Sequence, residues 1–289
     1  MIHIVPSRAA CGAQVHGVDL SASLSDATVA AIRAAWLEHG VLAFPGQAMS
    51  IADLERFTLA LGPRGDDPFI APIPGHPHVV EIRREPDEKA PVFADNWHSD
   101  WSFLRSPPAG TALYGSVIPP VGGDTLFADQ QAAWDALPAA QQTRLRGLMG
   151  IHSARVGYAR DGRYGERDRA LGRSMAIRYG DSALATQAHP IARTHPETGR
   201  TVLFVSPGYT IGVEGMADDE ARVLLRSLFE HQRQPRFVYR HRWEPGMLLL
   251  WDNRRLVHAA TGGYEGHRRL LHRITIAERS PPPVGVHPS

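Results

Sequence analysis

Two histidines and an aspartate carry the first chemical signal in this sequence. His98 and Asp100 stand two apart in Asn96-Trp97-His98-Ser99-Asp100-Trp101. On an extended strand, residues i and i+2 point to the same face, so an imidazole and a carboxylate can reach one point there. That pair suits a divalent iron. A third ligand is offered by His258, at the end of Trp251-Asp252-Asn253-Arg254-Arg255-Leu256-Val257-His258, after an apolar strand and a short polar turn. Two imidazoles and one carboxylate on one face leave three positions of an octahedral metal open, enough for a bidentate acid and O₂. A His-x-Asp pair alone is weak evidence, because with 15 histidines and 30 acidic residues chance pairs are expected. Its weight comes from what surrounds it.

The elements that must position these residues are mostly short strands. Two helices come first. One starts at Ser25-Asp26, where Asp26 can cap it, carries Val29, Ile32, Ala35 and Trp36 at helical spacing, and stops at Gly40. The other runs from a Ser50 cap through Leu54, Phe57 and Leu61 to Gly62, with a buried strand at Val41–Phe44 between them. Residues 62–96 read as a possible active-site loop, rich in proline, with Val79–Ile82 as its one strand. Further strands are expected at Thr111–Val117, Asp124–Ala128, Ala188–Ala192, Val202–Val205, Phe237–Arg242, Met247–Trp251 and Leu270–Ala277. Helical patches are expected at Gln130–Leu137 running into Ala139–Leu148, and at Asp218–Gln232. Many short strands with few helices favour a β-sandwich or jelly-roll barrel, with the N-terminal helices packed outside it. The chain is thus mainly β with flanking helices (α+β), a single domain over residues 1–289 with a proline-rich loose tail at 280–289.

Composition narrows the class of protein. With 43% hydrophobic residues the chain can build a large core. Lys plus Arg is 31 against 30 for Asp plus Glu, a net charge of +1 that gives no reason to expect nucleic acid or an anionic membrane as partner. Cys11 is alone, which excludes an internal disulfide and a thiolate zinc site. With neither a signal-peptide pattern nor a membrane-length apolar run, a cytoplasmic protein is expected.

The stretches NWHSDWSF, PPAGTALY, GGDTLFAD, RTHPETGR, LFVSPGYT, WDNRRLVHAA and RRLLHRITIA occur in this order, after HGVLAFPGQ. Together they resemble the taurine dioxygenase / 2,4-dichlorophenoxyacetate dioxygenase family, over most of the chain. The resemblance implies a double-stranded β-helix, a cupin-like form of jelly roll. It implies Fe(II) held by His98, Asp100 and His258, with 2-oxoglutarate and O₂ as co-substrates. Thr125 matches the family threonine that hydrogen-bonds the keto acid. Arg269, eleven residues beyond His258, matches the arginine that binds its far carboxylate; the planar guanidinium fork suits that task. The implied reaction is hydroxylation of a small anionic substrate (sulfonate, sulfate ester or carboxylate), with succinate and CO₂ as co-products. Asp100 argues against halogenation, since the related halogenases lack this carboxylate. Relatives are commonly homo-oligomers, dimers or tetramers.

At the substrate end, Arg273 matches the arginine that holds the substrate's anionic group in sulfonate-using relatives. It alternates with Leu271 and Arg269, so the two arginines share a strand face. Where sulfonate users carry a histidine, this chain offers Asp67, with His76 and His78 as alternatives across the loop. An acid there repels a sulfonate, or pairs with a cationic group on the substrate or with Arg273 itself. Trp101, Phe204 and Tyr209 are candidates for the pocket wall. Two rival readings remain at this point: a non-catalytic sensor of small acids on the same barrel, and a zinc hydrolase using the same three ligands. The keto-acid residues count against both.

Overall fold

The computed structural model describes residues 2–279; the tail expected at 280–289 lies outside them. An eight-stranded sheet dominates. In spatial order its strands are His3–Pro6, Ala13–His16, Val41–Phe44, Leu248–Asp252, Gly110–Val117, Arg269–Ile276, His76–Arg84 and Pro72–Ile73. All neighbours are antiparallel except Ala13–His16 beside Val41–Phe44. A second sheet, Val238–His241, Thr125–Asp129 and Leu256–Ala260, carries His258. A third joins Thr210–Val213, Met149–Ser153 and Thr186–Pro190. Sheets facing each other across an apolar interior form the expected jelly roll.

The central strands are apolar on both faces because each face has its own core. Leu248 and Leu250 pack with Leu42, Phe44, Ala112, Tyr114 and Ile274 against Ile32, Trp36, Leu54 and Phe57 of the two N-terminal helices. Leu249 and Trp251, one residue out of phase, face inward with Val41, Ala43, Leu113 and Leu271 onto Phe127 and Leu256 of the second sheet. The period of two thus sorts one apolar run between a helical layer and the barrel interior.

The helices form at Asp26–His39 and Ile51–Leu61. Ser25, not Asp26, is the cap of the first: its side chain accepts from Thr28 N, and Asp26 is the acidic residue of the first turn. Ser50 and Asp53 form a reciprocal capping box on the second. Asp218–Gln232 matches its expected span, while the 130–148 region breaks into Gln130–Asp135 and Ala139–Leu145.

The 62–96 segment is less loop-like than its prolines suggest. His76–Arg84 is a nine-residue strand paired along the arginine strand, Arg84 opposite Arg269 and Val80 opposite Arg273. Tertiary pairing overrides the local signal of Pro77. The expected Ala188–Ala192 strand is two, Thr186–Pro190 and Ala192–Thr194. Strands at Met149–Ser153, Thr210–Val213 and Leu256–Ala260 lacked a recognised pattern. Between Ser153 and Thr186, which are paired opposite each other, residues 154–185 leave the sheet and return. This excursion holds two short α-helices, Arg155–Tyr158 and Glu166–Ala170, and a 3₁₀ helix, Asp181–Leu184. It packs Tyr158, Ala159, Tyr164 and Met175 on Phe69, Trp101 and Tyr209, capping one end of the barrel. No helix of the described residues is long and apolar enough to cross a membrane.

Gly110 marks how tightly the helical layer meets the sheet. A Cβ there would lie 2.7 Å from Trp36 Cη2 and 2.8 Å from the Trp251 carbonyl oxygen. Gly110→Ala is therefore expected to destabilise the fold by about 1–3 kcal/mol, read as a lowered denaturation midpoint; an unchanged midpoint would show that Trp36 moves aside freely.

Candidate metal and keto-acid site

His98 and His258 meet through their backbones. His98 N donates to His258 O at 2.9 Å and His258 N to His98 O at 2.7 Å, an isolated antiparallel bridge. Directly opposed residues share a face, and the two rings lie 4.2 Å apart. The pairing extends no further on the His98 side. The chain turns at Asp100, and Trp101 takes φ +48°, the left-handed region that a bulky residue seldom enters. The expectation that His98 and Asp100 sit two apart on an extended strand is therefore corrected: a one-residue bridge and a turn bring them together instead. Gly208 makes room for this, donating to Trp97 O at 2.9 Å. A Cβ on Gly208 would come within 2.8 Å of His98 Cβ.

The three side chains converge. Asp100 Oδ1 lies 3.4 Å from His98 Nε2 and 3.8 Å from His258 Nε2, and one ligand atom from each residue falls within 4.8 Å of the other two. Ligands about 2.1 Å from a metal and at right angles stand roughly 3 Å apart, so a small cation fits among them with slight contraction. His98 Nδ1 contacts Asn96 O at 2.8 Å. A carbonyl only accepts, so the proton is on Nδ1 and the Nε2 lone pair is free. Burial, with His98 beside it, pulls the His258 pKa down to about 3, so this imidazole is neutral near pH 7. Burial opposes the Asp100 charge, but His258, His98 and Arg273 outweigh it and hold the carboxyl well below the usual range. The donor set is thus two imidazoles and a carboxylate, the set that hard-to-intermediate divalent metals take.

A buried relay aims the carboxylate. Trp251 Nε1 donates to Asn253 Oδ1 at 2.9 Å, Asn253 Nδ2 to Thr111 Oγ1 at 2.8 Å, and Thr111 Oγ1 to Asp100 Oδ2 at 2.7 Å. Oδ2 is occupied, which leaves Oδ1 facing the histidines. Ser99 Oγ ties the same turn to Asn253 O at 2.6 Å.

Thr125 and Arg269 lie further along the interior. Thr125 stands opposite Ala260 in the second sheet, two residues from the pair of Phe127 with His258. Its hydroxyl accepts from Trp243 Nε1 at 3.0 Å. The Trp243 ring in turn lies 5.9 Å from the Arg269 guanidinium carbon, and the Tyr264 ring 5.5 Å. Arg269 is 5% exposed. Nη2 donates to Gly123 O at 3.2 Å and Nε has no partner. No carboxylate among the described residues pairs with it; neighbouring Asp124 is engaged by Arg240 at 2.6 Å. Burial accordingly pulls its pKa down. A buried guanidinium in this state is completed by an anionic ligand.

Above the three converging side chains opens a cavity holding about 450 Å³ of empty space, part of it open to solvent. Trp101, Tyr209 and Arg273 line it, with Phe93, Tyr158, Tyr164 and Arg163 besides. Tyr209 stands edge-on to the His98 ring at 5.9 Å. Phe204 does not belong to this wall. It stacks on His152 at 5.4 Å, under the Arg193 guanidinium, in a separate small cavity. Phe204 falls just past the end of Thr201–Leu203, and the chain turns before Tyr209 comes round to the metal side. Asp67 makes an ion pair with Arg273 and accepts from Trp101 Nε1 at 3.1 Å. His76 instead contacts Glu55 at 3.0 Å. Trp243, Thr111 and Asn253 carried no signal of their own in sequence; Thr111 and Asn253 lay inside family motifs. Tyr158, Arg163 and Tyr164 come from the cap, whose short helices have no periodicity to read.

The whole assembly has known counterparts. Residues 3–275 match the model of the family described as taurine catabolism dioxygenase TauD, TfdA family. The chain is 34% identical over 278 residues to the alpha-ketoglutarate-dependent 2,4-dichlorophenoxyacetate dioxygenase of Cupriavidus pinatubonensis, covering 91% of this chain and 93% of that one. It is 30% identical over 291 residues to an alpha-ketoglutarate-dependent sulfate ester dioxygenase of Pseudomonas putida, covering 99% and 91%. The crystal structure of a taurine dioxygenase from Burkholderia xenovorans superposes with a TM-score of 0.79 at 31% identity, over 97% of this chain and 92% of that one. The chain belongs to the TauD/TfdA family of iron(II)- and 2-oxoglutarate-dependent dioxygenases.

Proposed function

We propose that this dioxygenase holds its iron through His98, Asp100 and His258, binds 2-oxoglutarate with Thr125 and Arg269, and hydroxylates a small organic acid in the cavity above. The observation that carries the keto-acid assignment is the Arg269 guanidinium, buried and without a carboxylate partner among the described residues. A hydrolytic metal site has no use for such a group, whereas a dicarboxylate that reaches from the metal satisfies it.

Iron(II) with 2-oxoglutarate, when bound, would use O₂ to couple decarboxylation of the keto acid with hydroxylation of a substrate C–H, one oxygen atom going to succinate and the other to the product. The protein's own contribution is placement. The Trp251–Asn253–Thr111 relay keeps one carboxylate oxygen of Asp100 turned to the metal side. Asn96 fixes the His98 tautomer. Trp243 orients the Thr125 hydroxyl and covers Arg269, excluding water that would weaken its charge-assisted bonds. Trp101, Tyr158, Tyr164 and Tyr209 line the cavity with aromatic side chains. An organic acid is the substrate class in keeping with the phenoxyacetate and sulfate ester named for the relatives.

Three outcomes test this reading. His98→Ala, Asp100→Ala and His258→Ala are each expected to abolish succinate formation and to weaken Fe(II) binding; full activity in any one would remove it from the ligand set. Arg269→Ala is expected to raise the KM for 2-oxoglutarate far more than that for the prime substrate. A lost charge-assisted pair costs about 1.5–3 kcal/mol, roughly 10- to 100-fold, and an unchanged KM would mean another group holds the far carboxylate. Thr111→Val keeps the shape and removes the bond to Asp100. Fe(II) affinity, titrated without substrate, is expected to fall about 10- to 100-fold; wild-type affinity would show that Asp100 needs no such positioning.

A further inference from the structure

The cavity above the metal ligands has two cationic side chains among its described lining residues, Arg273 at its floor and Arg163 at its rim. Resting on the reading that the substrate is an organic acid, we propose that Arg163 is the specificity-determining residue that receives the acid group at the mouth, with the apolar body extending inward to the metal.

The two arginines both have carboxylate partners. They differ in what becomes of that partner when an incoming anion replaces it. Arg273 is paired with Asp67, at side-chain exposures of 6% and 8%, and its Nη1 also lies 3.9 Å from Asp100 Oδ1. Its close partner is Asp67, and its charge is spent there, since Asp100 gives one oxygen to Thr111 and turns the other to the histidines. An acid group that drew Arg273 away would leave Asp67 in the interior with only the Trp101 N–H, and an unpaired buried carboxylate is costly. Adding an anion without displacing Asp67 would put a second anion on a guanidinium that is already paired.

Arg163 donates to Asp95 at 2.5 Å, with exposures of 39% and 34%. An exposed pair of this kind contributes little, and Asp95 released from it returns to water. The Arg163 backbone is meanwhile fixed, its N–H donating to Val156 O at 2.9 Å. Its side chain can exchange one carboxylate for another without disturbing the cap. Between rim and floor the walls are Phe93, Trp101, Tyr158, Tyr164 and Tyr209. A substrate whose acid group stays at the rim must span those rings to bring a C–H to the metal. The favoured class is an acid with an apolar, aryl or longer alkyl, spacer between its charge and the oxidised carbon, rather than a two-carbon acid.

The test uses the enzyme loaded with Fe(II) and 2-oxoglutarate without O₂. Binding of phenylacetate, phenylbutanoate and phenylhexanoate, and of their primary amides, is measured by calorimetry. Wild type is expected to bind the longer acids more tightly than phenylacetate and more tightly than their amides. Arg163→Gln is expected to weaken acid binding about two- to fivefold and leave the amides unchanged. Arg163→Lys should recover part of the loss, and Asp95→Asn should strengthen acid binding. Acid affinity unchanged in Arg163→Gln, equal losses for acids and amides, or a wild type that prefers phenylacetate or the amides would each overturn the proposal. Fe(II)-dependent decarboxylation of 2-oxoglutarate without any acid, followed in the same preparations under O₂, reports on the dioxygenase reading separately. Its absence in wild type would refute that reading, while the amide comparison would still judge Arg163.

Discussion

A charge taken out of water must meet another charge, and this requirement orders the interior of the barrel. Asp67, Asp100, Arg269 and Arg273 are all carried into it by the sheet and its turns. Arg273 lies between Asp67 and Asp100 and binds the floor of the cavity together. Asp100 keeps one oxygen on Thr111 and gives the other to the histidines. Arg269, on the same strand, has a carbonyl and two aromatic faces instead of a carboxylate. One strand thus supplies two arginines of different character. The first is self-contained; the second is complete only with a ligand. That asymmetry, more than the number of positive groups, is what supports the proposal that the keto acid binds at Arg269.

Much of this was legible in the sequence, for identifiable reasons. The Leu248–Asp252 run and the alternation of Arg269, Leu271 and Arg273 follow a period of two that survives folding, because each face meets a separate layer. Asp218–Gln232 shows the three-to-four spacing of a helix with one buried stripe. The convergence of His98 with His258 was expected from residue type and motif order, but not its means. The left-handed turn at Trp101 has no marker, since glycine or asparagine would announce such a turn and tryptophan does not. Phe204 was misplaced because an aromatic residue beyond a strand end has no parity to fix its face. The prolines of 62–96 hid a full strand, since its pairing with Arg269–Ile276 is a long-range fact that no local window contains.

The histidine bridge also bears on how the metal ligands are held. Two backbone hydrogen bonds join residues 98 and 258 directly, and Gly208 is pressed against His98 from the other side. These contacts belong to the folded chain itself. The backbone positions that carry the two imidazoles are therefore set by sheet pairing and packing within the folded chain.

The cap has a consequence for how such an enzyme can diversify. Residues 154–185 leave and rejoin the barrel at Ser153 and Thr186, which face each other across one antiparallel pair. The two ends are separated by a single strand spacing, about 5 Å. Topologically the cap is the loop of a hairpin, and the cost of closing a loop rises only slowly with its length. Tyr158, Arg163 and Tyr164 come from this one excursion, whereas the metal ligands, Thr125 and Arg269 come from elsewhere in the chain. Recombination or insertion within a single contiguous stretch can therefore exchange much of the cavity wall while the residues proposed to hold iron and keto acid are inherited intact. The architecture separates a heritable engine from an interchangeable fitting, and the seam between them is one base of a hairpin.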